Sequence, residues 1–170
     1  MTRYSPPGRL RPDHVVSNFR CGRQPLDEWL KRYALMNQRA GMANTFAVTE
    51  AGSQEVVGFF ALATGGVTHQ SAPERITTGI PNHPVPVIIL ARLAIHEDHQ
   101  SHGLGRALLA DALKRVASAS DEIGCRALLV HAKDDEARAF YLAQAEFEPS
   151  PVDRLQLFLL LKDVRKALGV

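Results

Sequence analysis

Apolar residues along the chain follow two spacings, and the change from one to the other marks out the elements. Leu26, Trp29, Leu30, Tyr33 and Ala34 recur every three or four residues; Pro25 stands where a helix can begin and Gly41 where it can end. Residues 45–49 and 56–63 are strand-like. Glu50-Ala51-Gly52-Ser53-Gln54 between them is a hairpin-sized connection, so the two should pair antiparallel. Residues 65–86 hold two adjacent glycines, Pro73, Gly79, Pro81, Pro84 and Pro86, which predicts an exposed loop bordering a site, with a strand end at each side. Residues 87–95 are β-branched and mostly apolar on both parities, the pattern of a central strand; Arg92 is the exception. Leu104, Leu108, Leu109, Ala112, Leu113 and Val116 form one stripe over residues 103–118, and Gly124 lies beyond this helix. A buried strand at 126–132, a helix at 135–145, a strand at 155–161 and a short basic tail complete the chain. The proline-rich first 25 residues hold at most one short strand or helical turn around 15–19. This order predicts an α/β chain, one mixed sheet with helices packed on it, in which residues 87–132 form a right-handed parallel crossover.

With 170 residues and 45% hydrophobic content the chain suits one domain, 1–170, with its own core. Cys21 and Cys125 match no metal-ligand spacing and no secretory leader is evident, which points to free thiols and a cytoplasmic setting. The longest apolar run, residues 157–161, is far below the roughly 20 residues that cross a bilayer, so membrane roles recede. The net charge of +2 is uneven: residues 1–40 carry eight basic side chains against three acidic ones. Such a segment attracts phosphates if folding gathers it on one face, and is otherwise a solvated surface.

The chemistry concentrates where residue 95 ends the central strand and a helix begins near Gly103. The first amides of a helix lack intrahelical partners and, with the helix dipole, make an anion site. Glycine at 103 and 105 removes side chains that would keep a diphosphate away, and Arg106 adds charge in the first turn. A bare Gly-x-Gly also fits an ordinary tight turn. Leu108 breaks a dinucleotide Gly-x-Gly-x-x-Gly, and no Gly-Lys-Ser/Thr is present.

Gln100, Gly103 and Gly105 directly after a central strand fulfil Gln/Arg-x-x-Gly-x-Gly/Ala, and in this the chain resembles the Gcn5-related N-acetyltransferase (GNAT) superfamily. The resemblance implies the GNAT fold: a central mixed, largely antiparallel sheet with a parallel central strand pair and flanking helices. It implies that Gln100, Ser101, His102, Gly103, Leu104, Gly105 and Arg106 bind the pyrophosphate of acetyl-coenzyme A while Leu93, Ala94 and Ile95 hydrogen-bond the pantetheine arm. A second block agrees. Ala137, Phe140 and Tyr141 match the superfamily's Asn-x-x-Ala-x-x-Phe-Tyr, with Asp134 in place of asparagine and still fit to cap a helix. Asp134 and Phe140 thereby join the coenzyme set. Tyr141 becomes the general-acid candidate, because a phenol near the sulfur can protonate coenzyme A as it leaves; otherwise it is a core tyrosine on an amphipathic helix. Ala145-Glu146-Phe147 departs from the superfamily's Gly-Phe ending by one residue.

Phe19-Arg20-Cys21-Gly22 with Leu26-Asp27-Glu28-Trp29-Leu30, Val57-Gly58-Phe59-Phe60-Ala61-Leu62, Leu90-Ala91-Arg92-Leu93-Ala94-Ile95 and Phe147-Glu148-Pro149-Ser150-Pro151 narrow the likeness. Over residues 10–164 the chain is similar to the acetyltransferase toxins of bacterial toxin-antitoxin pairs. That implies acetylation of the α-amino group of aminoacyl-tRNA, a block to translation, and a ribbon-helix-helix antitoxin through which alone operator DNA is bound; dimerisation is common in such proteins. An aminoacyl ester withdraws electrons from its amine, lowering the pKa below the roughly 7.7–8.0 of a peptide α-amino group, so no strong general base is required. Arg92, Arg20, Arg23, Lys31 and Arg32 are the tRNA candidates, Arg92 having a structural ion pair as its alternative. Two other functions stay open: an acetyltransferase for a protein, polyamine or drug amine, and a catalytically weak module that pairs with an antitoxin as co-repressor. His96, His99 and His102, with Glu97 and Asp98, have metal-binding chemistry, but the helix starts after them, and a polar loop rim without metal is expected.

Overall fold

A computed structural model describes residues 3–170. Seven strands lie in the order β1-β2-β3-β4-β5-β7-β6: β1 Gly8–Arg9, β2 Asn44–Thr49, β3 Val56–Val67, β4 Val85–Ile95, β5 Ala127–His131, β6 Glu148–Pro149 and β7 Gln156–Leu160. The hairpin β2–β3 is antiparallel, as are β5–β7 and β6–β7, while β4 and β5 form the parallel pair. The helices are α1 Gln24–Glu28, α2 Ala34–Arg39, α3 Glu74–Thr77, α4 Leu104–Ser120, α5 Asp135–Gln144 and α6 Leu161–Leu168.

The chain divides into two compact units, the first made of residues up to Ala63 with Arg92–Asp111, the second of Thr64–Ala91 with Ala112–Val170. In the first, Phe19, Trp29, Leu30, Val56, Phe59 and Ala94 are buried in one cluster. Helix α1 begins at Gln24, with Pro25 in its first turn where its missing N–H costs nothing, and Gly41 follows α2 with a left-handed φ of 75°. The predicted helix runs without interruption from Gln24 to Arg39, with a π turn, Trp29–Tyr33, in its middle that buries Trp29 and Leu30. Near the N-terminus the short strand is β1; at the expected position only Val15 forms a single parallel bridge, to Glu55. A Cβ on Gly58 of β3 would stand 3.1 Å from Ile95 Cδ1, 3.2 Å from Leu108 Cδ1 and 3.2 Å from Val48 Cγ2, so the missing side chain lets the end of β4 and the start of α4 approach the sheet.

In the second unit Ile76, Val85, Val87, Leu129, Phe158 and Leu160 are buried together. Ile76 is only 1% exposed, which corrects the expectation of an exposed loop over 65–86: β3 runs on to Val67, a 3-10 turn covers His69–Ser71, and α3 buries Ile76 between the prolines. Arg126 secures this segment by donating from Nε to the Ile76 carbonyl (2.9 Å). The basic tail is likewise a helix, α6, closed by Gly169 at φ 76°; its buried Asp163 binds Arg75 of α3 through both terminal guanidinium nitrogens. Its apolar residues Leu161, Val164, Ala167 and Leu168 recur at helical spacing, with Leu161 and Val164 buried.

Candidate acetyl-transfer site

Pairing between β4 and β5 is in register only from Val87↔Ala127 to Leu90↔Val130, and β4 continues beyond it through Leu93, Ala94 and Ile95. Ala94 is buried, with Leu93 and Ile95 half-buried on either side of it. A 3-10 turn, Glu97–His99, follows, and α4 opens at Leu104. Gly103 has φ 78° with nothing within 4 Å of where a Cβ would stand, and Ser101 is the one described non-glycine residue with positive φ, 65°. The Ala107 amide is the first to reach back within the helix, donating to the Gly103 carbonyl (3.1 Å). The preceding amides of the turn therefore precede the intrahelical ladder, as an anion site requires, and Arg106 is exposed in the same turn. These residues fit a diphosphate: left-handed glycine, open space, unladdered amides and one cation.

Gln100 does something the motif alone does not disclose. Its Nε2 donates to the Ile95 carbonyl (2.9 Å) and to the Cys21 carbonyl (3.0 Å), so the side chain closes the loop on itself and on the N-terminal segment. His96 accepts from the Asp98 amide at Nδ1 and has Nε2 3.1 Å from the Asn18 carbonyl, while the Glu97 amide donates to the Arg20 carbonyl (2.7 Å). The rings of His96 and His99 are engaged with protein groups and His102 is exposed; the described residues contain no group of three or more ligands placed to hold a metal.

Helix α5 starts from Asp134, whose carboxylate accepts from the Ala137 amide (2.8 Å), the cap expected of the residue replacing asparagine. About two turns further on, Tyr141 is 6% exposed, its ring edge-on to Phe140 (5.3 Å) and to Phe147 (5.9 Å). The lengthened Ala145-Glu146-Phe147 ending thus still delivers an aromatic ring onto the tyrosine. Burial pushes the Tyr141 phenol well above its usual range, and among the described residues its hydroxyl has no hydrogen-bond partner. It is a neutral donor with its proton to spare.

Arg92 is half-buried on β4 and its guanidinium lies 4.3 Å from the centroid of the Trp29 ring, which on its own side stacks on Phe59 (6.1 Å, 10° between planes). The ion pair weighed for it is not formed among the described residues, and desolvation lowers its pKa. Trp29 was not among the sequence candidates; the only signal was the chain's single tryptophan falling in the same element as the basic cluster. That cluster is partly neutralised: Arg20 lies 3.9 Å from Glu97 and Arg32 3.5 Å from Glu28, whereas Lys31 is exposed without an ion pair among the described residues. Arg23 precedes α1 as its N-cap.

Residues 43–148 match the model of the acetyltransferase (GNAT) domain family. The chain belongs to the GNAT acetyltransferases. A GNAT relative named tRNA-acetylating toxin, from Mycobacterium tuberculosis (strain ATCC 25618 / H37Rv), is 47% identical over 169 residues, covering 99% of both chains. Among solved GNAT folds, AtaT complexed with acetyl-methionyl-tRNAfMet superimposes with a TM-score of 0.87 at 24% identity, over 96% of this chain and 98% of that one. A mutant AtaT toxin bound to the C-terminus of the antitoxin AtaR and acetyl-CoA does so with 0.82 at 22% identity, over 99% and 100%. The mixed sheet with its parallel β4–β5 pair is the GNAT fold. No helix of the described residues is long and apolar enough to cross a membrane.

Proposed function

We propose that this chain, acting as one acetyltransferase domain over residues 1–170, is a toxin that transfers an acetyl group from acetyl-coenzyme A to the α-amino group of an aminoacyl-tRNA and so blocks translation. The full-length similarity to the tRNA-acetylating toxin carries this reading. It entails a cytoplasmic setting and a ribbon-helix-helix antitoxin as neutralising partner, with operator DNA reached through that antitoxin and a homodimer as the assembly.

Acetyl-coenzyme A supplies the acetyl group as an activated thioester. Leu93, Ala94 and Ile95 offer strand backbone to the pantetheine arm, and the 100–106 loop offers amides and Arg106 to the pyrophosphate. Asp134 and Phe140 set the start and the inner face of α5. In the transfer the substrate nitrogen forms a bond to the acetyl carbon, the carbon–sulfur bond breaks, the nitrogen loses a proton and the sulfur gains one. Tyr141 donates that proton and recovers one from solvent fed by the amine; its raised pKa keeps it protonated beforehand. Arg92, positively charged and fixed on Trp29, meets a phosphate of the acceptor end, with Arg20, Arg23, Lys31 and Arg32 as outer contacts along the backbone.

Incubation with labelled acetyl-coenzyme A and charged or uncharged tRNA tests the reading. Label is expected on charged tRNA only, at the amino acid, and Arg92→Ala should raise KM for aminoacyl-tRNA while leaving KM for acetyl-coenzyme A near wild type. Label on a polyamine, protein or drug amine in preference to charged tRNA would assign another acceptor.

A further inference from the structure

His99 is 8% exposed in a turn whose neighbours Glu97, Asp98 and Gln100 are more open to solvent, and both of its ring nitrogens have partners from distant segments. Tyr4 Oη lies 2.9 Å from Nδ1, and Glu50 Oε1 lies 3.4 Å from Nε2. In the neutral ring with its hydrogen on Nε2, Tyr4 O–H donates to Nδ1 and Glu50 lies within ion-pair distance of Nε2; in the protonated ring Nδ1–H donates to Tyr4 Oη instead. The partners are themselves held. Tyr4 and Glu50 form an antiparallel bridge, the Ser5 amide donates to the Thr49 carbonyl (2.8 Å) and the Ala51 amide to the Arg3 carbonyl (2.9 Å). The Arg3 guanidinium lies over the Tyr4 ring (5.3 Å) and 3.9 Å from Glu50.

We propose that His99 is a positioning residue for coenzyme binding, pinning the turn that leads into Gln100 and Gly103 to the N-terminal segment and to the β2–β3 hairpin. The proposal rests on the reading of that loop as the pyrophosphate site. The His99 amide donates to the His96 carbonyl (2.8 Å), so fixing the imidazole fixes the turn, and Gln100 comes directly after it in the chain. A buried side chain with two long-range partners is an expensive way to build an exposed loop rim unless the geometry of the coenzyme loop beside it matters.

The groups facing the imidazole are Arg3 and Tyr4 from the N-terminal segment, Glu50 from the hairpin, and His96 and Asp98 from its own turn. Burial is the largest influence and lowers the pKa below 6.5; Glu50 and Asp98 oppose it, Arg3 and His96 reinforce it. The neutral form therefore persists at neutral pH; protonation at lower pH puts a hydrogen on both ring nitrogens, so that Tyr4 Oη must turn from donor to acceptor and the buried ring acquires a charge. Coenzyme affinity should fall as the pH drops through that range.

The test is calorimetric binding of coenzyme A to the full chain at about pH 7.5 and about pH 5.5. Tyr4→Phe, which removes one hydroxyl, and His99→Ala should each weaken binding roughly three- to tenfold at the higher pH, the worth of one lost hydrogen bond, with kcat at saturating acetyl-coenzyme A near wild type. His99→Asn, whose Oδ1 accepts from Tyr4 without titrating, should restore affinity at the higher pH and flatten the pH dependence. Arg106→Glu separates the two levels of the proposal. If it leaves coenzyme A binding unchanged, the loop is not the pyrophosphate site. If it weakens binding while Tyr4→Phe and the histidine variants keep wild-type affinity and pH dependence, His99 has no positioning role. A lowered melting temperature with unaltered affinity overturns it equally, by making His99 a structural residue only.

Discussion

Two side chains of the site owe their chemistry to what surrounds them. Tyr141 is packed between Phe140 and Phe147, and the same burial that removes water raises its pKa above the ordinary 10.0. Tyr141→Phe keeps the ring and removes only the proton donor, so the fold should be retained while kcat drops about 10²–10⁴-fold with little change in KM, measured by thiol release. Because the phenol ionises only above its ordinary range, wild-type activity should show no loss near pH 10 that Tyr141→Phe lacks. Arg92 is the opposite case: a permanent cation whose counter-charge the described residues do not supply, held by the face of an indole.

At the scale of elements, α5 and the turn into α4 depend on caps. Asp134 satisfies the Ala137 amide at the start of α5, and through that start it sets where Tyr141 sits. Asp134→Ala should cost about 0.5–2 kcal/mol in chemical denaturation and lower kcat, whereas Asp134→Ser, which also accepts from the amide, should recover most of both. Elsewhere the short helices are held by charge: Asp163 of α6 takes Arg75 of α3, and that guanidinium keeps the Asp163 carboxyl below its usual range. The linked stability is present above about pH 3.8 and lost as the pH falls through the lower, folded value, a loss visible as acid unfolding that Asp163→Asn should abolish.

For the whole molecule, the basic excess of the first 40 residues counts for less than its arithmetic, because Arg20 and Arg3 lie beside Glu97 and Glu50, acids from outside that segment. Salt dependence of tRNA binding resolves how much remains. Lys31→Ala should reduce the slope of log K against log salt by about 0.7–0.9, one phosphate contact, across all tRNA species alike. A slope equal to wild type would remove Lys31 from the interface.

By itself the sequence determined the order of the main elements, the antiparallel hairpin, the parallel β4–β5 pair, the glycine turn between β4 and α4 and the Asp134 cap, since each arises from local spacing or from a glycine whose conformation the chain requires. Tertiary structure alone decided the rest. The π turn and α3 form because Trp29 and Ile76 find partners distant in sequence, which hydropathy within a window cannot register. The same holds for the site: that Gln100 folds onto Cys21, that Arg92 rests on Trp29, and that His99 is buried between Tyr4 and Glu50 are long-range pairings. Spacing could name the residues; only packing assigned their contacts, because burial and partner geometry are properties of the folded chain.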